Sequence, residues 1–156
     1  MRRPGRLAGA FGALQDRDYR LLFAATLTTS LGDAVGLIAL SFAVLDVADV
    51  TALGIVIAAR QIVTAAVLLF GGVVSDRQRR NLVLVGAALL QGAAQVAVAV
   101  AVLADTVTVA FFVITAGLWG LGAGLVIPAE TGLVPQTVRP ERLQQANALQ
   151  AAQDLA

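Results

Sequence analysis

Asp33 and Arg60 each stand inside a run of apolar residues long enough to cross a bilayer. An ionised side chain near the bilayer centre costs at least about 2.5 kcal/mol on insertion scales, so it needs a partner or a wet cavity and marks a candidate functional site. Asp33 follows Leu21 by 12 residues and Arg60 precedes Val74 by 14. In antiparallel helices rising 1.5 Å per residue, their heights then differ by about 3 Å, so antiparallel neighbours could pair them. Thr26, Ser30 and Asp33 recur at helical spacing, as do Arg60 and Thr64, and Gln91 and Gln95 form an i, i+4 pair in a third apolar run. Asp33, Arg60, Gln91 and Gln95 are therefore the candidate lining of a central cavity holding a substrate or proton site. Asp33 is the first choice for coupling protonation to movement of a solute. The plainer reading is that these polar groups only bond one helix to the next.

Four apolar blocks must hold these residues, at 21–45, 52–74, 82–104 and 107–129. Each exceeds the roughly 20 residues that span a hydrocarbon layer about 30 Å thick. Within hydrocarbon every backbone amide must be satisfied inside its own segment, so the blocks are helices unless they close a barrel. A barrel alternates apolar and polar residues over shorter segments, and these blocks are apolar on every face. The chain is 58% hydrophobic and 13% charged, against about 25% charged in soluble domains. The expected fold class is all-α integral membrane, with four transmembrane helices and an incomplete fifth begun at 143–156.

Short loops rich in arginine stay on the cytoplasmic side. Arg2, Arg3, Arg6, Arg17 and Arg20 precede the first block; Arg77, Arg79 and Arg80 follow the second; Arg139 and Arg142 follow the fourth. The connections after the first and third carry only Asp46, Asp49 and Asp105. This places a cytoplasmic tail at 1–20 and cytoplasmic loops at 75–81 and 130–142. The first block is too long for a signal-peptide core and no small-residue cleavage site follows it, so it is expected to remain as an anchor. Arginine without lysine, beside abundant alanine, suggests a GC-rich bacterial genome and hence a bacterial inner membrane.

The chain has no cysteine and no histidine, which removes thiolate and imidazole chemistry. It carries no phosphate-cradling glycine loop, nucleophile elbow or metal-ligand cluster. Neither an enzyme nor a cofactor is expected. The arginines are scattered among block ends and form no basic face, so nucleic acid is not an expected partner.

After the second block the sequence reads Gly72-Val-Val-Ser-Asp76-Arg77-Gln78-Arg79-Arg80. It resembles the G-x-x-x-D-R-x-G-R-R loop between helices two and three of the major facilitator superfamily, departing from it at Arg79 and Asn81. Three further passages resemble the enterobactin-exporter and macrolide-efflux branch of that superfamily: Asp18-Tyr-Arg-Leu-Leu-Phe23, Ser30-Leu-Gly-Asp33, and Pro128-Ala129 with Leu133-Val-Pro135, Pro140-Glu-Arg-Leu143 and Ala146-Asn-Ala148. The resemblance implies a secondary-active, proton-coupled exporter of a small molecule. Its partners would be that substrate, membrane lipid and a C-terminal half of the same transporter, this chain being an N-terminal fragment. The loop is also a candidate conformational gate, with Gly72 admitting a neighbouring helix, Asp76 at a helix end, and Arg77 or Arg80 placed to latch to Glu130; the equal alternative is that these arginines only fix topology. Gly117, Gly120, Gly122 and Gly124, with Gly32 and Gly36, are expected to let helices pack closely. The R-x-x-x-G-x-G arginine of drug–proton antiporters is replaced by Ala116. Two rival readings are a four-helix assembly module without transport activity and a small self-assembling multidrug carrier.

Overall fold

A computed structural model of the chain describes residues 15–77 and 80–137, together with Leu143, Gln144, Ala146 and Leu149; side chains at 70–77, 80, 130–132 and 134–136 lie outside that description. The described residues form four long helices, α1 (Arg17–Val47), α2 (Val50–Arg77), α3 (Arg80–Leu103) and α4 (Val109–Thr137), with no strand among them. All four are long and apolar enough to cross a membrane. Many of their large apolar side chains point outward: Phe42 is 72% exposed, Leu69 81% and Leu103 88%. In water that surface would drive collapse or aggregation; in hydrocarbon it is the solvated face.

The helices outrun the apolar blocks. α2 continues through Ser75 and Asp76 to Arg77, and α4 continues across Pro128 and Pro135 to Thr137. Hydropathy marks where lipid contact stops, whereas a helix persists while its own hydrogen bonds are met.

Polar residues close the helix ends on the side away from the arginine clusters. Asp49 Oδ1 accepts a 2.9 Å bond from the Ala52 amide at the start of α2, and Thr108 Oγ1 accepts a 3.2 Å bond from the Phe111 amide at the start of α4. Both are N-caps satisfying an amide of the first turn. α3 ends with Thr106 N bonded to Ala101 O and Asp105 N bonded to Val102 O. Asp105 has φ 54°, so this is a Schellman closure with aspartate in the left-handed position usually held by glycine.

The described residues fall into two compact units. One holds the chain up to Gly32 and from Thr131 onward. Its core is Tyr19 against Ala146, flanked by Leu22, Phe23, Leu143 and Leu149. The Tyr19 hydroxyl donates a 3.0 Å bond to the Ala146 carbonyl, and Leu143, Gln144, Ala146 and Leu149 are helical.

The second unit, Asp33–Glu130, contains the larger core: Leu40 and Val44 of α1, Ala52 and Val56 of α2, Ala94 of α3, and Phe112, Ala116 and Trp119 of α4. Much of this core is small, so helices approach closely. Dispersion between backbones replaces the hydrophobic drive that lipid removes.

Candidate functional site

Inside the second unit one side chain from each helix joins a chain of contacts that runs Gln95–Asp33–Trp119–Arg60. Asp33 of α1 accepts two hydrogen bonds at Oδ1, one from Trp119 Nε1 of α4 at 2.9 Å and one from Gln95 Nε2 of α3 at 3.3 Å. Arg60 of α2 lays its guanidinium over the Trp119 ring, 4.4 Å from the centroid. That distance is within the range of a cation–π contact, which gains strength as water is removed.

Glycine makes the meeting possible. Gly36, three residues beyond Asp33, faces both partners, and a Cβ there would lie 3.2 Å from Gln95 Cδ and from Trp119 Cη2. Gly120, next to Trp119, presses on the Arg60 carbonyl so closely that a methyl group would overlap it. The Thr64 hydroxyl lies 2.9 Å from Arg60 O and 3.1 Å from Gly120 O, bonding within α2 and across to α4. Gly124 is held against Val67 of α2, while Gly122 turns to Ala87 and Gln91 of α3. α4 thus packs on two helices through alternate glycines, and Trp119 is carried to a fixed height between them.

Asp33 and Arg60 do lie within electrostatic reach of each other, but among the described residues no ion pair joins them and both instead contact Trp119. Trp119 stands between them, donating its N–H to the carboxylate and offering its ring face to the cation. Counting along helices gives height but not direction, and a large side chain at the right height takes both neighbours. Among the described residues nothing donates to Asp33 Oδ2. The carboxylate therefore has one oxygen held and one available for a proton.

Gln95 joins this constellation, and Gln91 does not. Gln91 is 3% exposed and packs against Gly122, and its Oε1 is buried without a hydrogen-bond partner among the described residues. Arg60 Nε is likewise buried without a hydrogen-bond partner among the described residues. Thr26 returns its hydroxyl to the Leu22 carbonyl of its own helix. Nothing lies within 4 Å of a Cβ built on Gly32.

The expected gate residues are placed only by their backbone. Gly72, Asp76 and Arg77 belong to α2, Arg80 opens α3 and Glu130 lies in α4. Their side chains, and Gln78 and Arg79 entirely, lie outside the described residues.

Trp119 was not singled out in the sequence, although a signal existed. Buried indole N–H groups find an acceptor, and the chain's single tryptophan sits in the middle of an otherwise apolar span. Its acceptor had to come from another helix.

Among the described residues no group of three or more acidic side chains could hold a metal ion. The arrangement joins a carboxylate of α1 to an amide of α3 and an indole of α4, with a guanidinium of α2 over the indole ring. The family model described as Major Facilitator Superfamily matches residues 21–154, from the first apolar block into the segment beyond α4. No curated protein and no solved structure matches the chain significantly.

Proposed function

The chain belongs to the major facilitator superfamily, a family of membrane transporters, and from that premise we propose that it serves a proton-coupled secondary transporter that exports a small molecule. The observation that carries this reading is the Asp33 carboxylate, set in an apolar helix and bonded to Gln95 and Trp119 with one oxygen left for a proton. A polar group at that depth is costly, and a site that alternately charges and discharges it gives the cost a use. Alternating access requires two groups of helices rocking about a shared site, so further helices of a C-terminal half would complete the pathway. The Asp18–Phe23, Ser30–Asp33 and Pro128–Ala148 passages support the enterobactin-exporter and macrolide-efflux branch. The one-sided arginines support a bacterial inner membrane with a cytoplasmic N-terminus.

The test is proton-driven solute accumulation in inverted vesicles containing the chain alone, the chain joined to a C-terminal half, and the joined form with Asp33→Asn. Transport in the joined form, lost with Asp33→Asn, is the expected result. Transport unaffected by Asp33→Asn would remove Asp33 from the coupling step, and none in any form would sink the reading.

A further inference from the structure

We propose that Trp119 is a positioning residue through which the charge on Asp33 controls the hold on Arg60, so that one proton loosens or tightens contacts among all four helices. This rests on the transport reading above but makes its own claim, about a side chain that carries no charge.

The geometry supplies the link. One indole makes both contacts: its N–H reaches Asp33 Oδ1 at 2.9 Å and its face carries the Arg60 guanidinium at 4.4 Å. Among the described residues the charged group facing Asp33 is Arg60 of α2, while α3 presents the neutral Gln95 and α4 the neutral Trp119. A hydrogen bond from an N–H to an ionised carboxylate is roughly twice as strong as one to a neutral acceptor. Donating that bond pushes electron density into the ring, which makes its face more negative and strengthens its attraction for a cation. Protonation of Asp33 reverses each effect. The bond to Trp119 weakens, the ring face becomes less negative, and Arg60 is held less tightly, so the α1–α4 and α2–α4 contacts respond together.

The backbone contacts of α4 do not titrate. Gly120 and Gly124 are seated against α2 and Gly122 against α3, and none of the atoms they meet belongs to a titratable side-chain group. They form the fixed seam against which side-chain contacts are made and released. Trp119 adjoins that seam, where its small movements are referred to a rigid neighbour.

The chain carries its own probe, because Trp119 is its single tryptophan. Indole emission responds to a cation over the ring and to the charge of the N–H acceptor. The experiment records Trp119 emission against pH in lipid vesicles for the unaltered chain, Arg60→Gln, Asp33→Asn and the double variant. The expected results are a pH-dependent step that disappears in Asp33→Asn, and an Arg60→Gln difference spectrum that is present with Asp33 ionised and lost both at low pH and in the Asp33→Asn background. The low-pH comparison needs no change at Asp33, so it stands even if Asp33→Asn fails to fold. An Arg60→Gln difference of the same size with Asp33 charged and neutral would overturn the proposal, as would emission that ignores pH. Transport that depends on Asp33 without this spectral coupling would remove the role of Trp119 and leave the transport reading intact. Coupling without transport would do the reverse.

Discussion

Trp119 donates its indole N–H to Asp33 across 86 positions of sequence, at 2.9 Å, between the fourth helix and the first. Neither residue is easily placed in hydrocarbon alone. Tryptophan brings a donor with no acceptor in its own helix, and aspartate brings a charge with no donor in its own. Each satisfies the other, and Gln95 adds a second donor from the third helix. The contact is therefore structural and electrostatic at once.

Replacing the indole by a ring without the N–H separates these contributions. Trp119→Phe keeps most of the packing volume and the ring face but removes the donor. Interhelical hydrogen bonds in membranes are worth about 1 kcal/mol, so unfolding of Trp119→Phe in mixed detergent is expected to show a loss of that order. Trp119→Leu, which also removes the ring beneath Arg60, should lose more. Equal losses in the two variants would mean that the cation–π contact contributes nothing.

The glycines of α4 predict a graded series. A methyl at Gly120 overlaps the Arg60 carbonyl, and one at Gly124 would lie 2.7 Å from Val67 Cβ, so both force two backbones apart. Overpacking of this kind typically costs 1–3 kcal/mol, and Gly120→Ala should cost the most, because its obstacle is backbone. Gly32→Ala meets nothing within 4 Å and is expected to leave stability unchanged or raise it by roughly 0.5–1 kcal/mol through helix propensity. Thermal unfolding of the three variants in the same detergent gives the order.

Much of this architecture is written in composition, because a bilayer leaves the backbone little choice. Four apolar runs of membrane-spanning length call for four helices. Asp33 and Arg60 stood out as charges in those runs, and Gln95 as one of a pair of amides at helical spacing. What spacing could not supply was direction around each helix axis. Gln91 and Gln95 look alike in sequence, yet one bonds to Asp33 and the other is sealed against Gly122. An aromatic residue in an apolar run looks like filler, and the need of the Trp119 indole for an acceptor does not say which helix supplies it. The helix ends were obscured for another reason, since polar residues such as Ser75 and Asp76 end the lipid contact without ending the helix.

Asp105 offers a test of local strain away from the site. Its φ of 54° is sparsely occupied by side-chain-bearing residues, although aspartate tolerates it better than most. The two bonds that close α3 at Thr106 and Asp105 both depend on that turn. Asp105→Gly should relieve the strain and raise stability by roughly 0.5–1 kcal/mol, whereas Asp105→Val should lower it, since a β-branched side chain is poorly accommodated there. Denaturation midpoints in detergent distinguish the two, and a loss in Asp105→Gly would mean that the carboxylate itself holds the turn.

The arginine distribution makes a topological claim that labelling can decide. Ser75 lies near the end of α2 beside Arg77, and Thr106 lies in the connection between α3 and α4, where Asp105 is the nearest charged residue. Retention of arginine-rich short loops on the cytoplasmic side puts Ser75 inside and Thr106 outside. The chain has no cysteine of its own, so Ser75→Cys and Thr106→Cys each create a single reactive site. In intact cells a membrane-impermeant maleimide is expected to label Thr106→Cys and to spare Ser75→Cys, with the pattern reversed in inverted vesicles. Labelling of both from one side would mean that α3 does not cross the membrane, and a pattern opposite to that expected would turn the whole chain over.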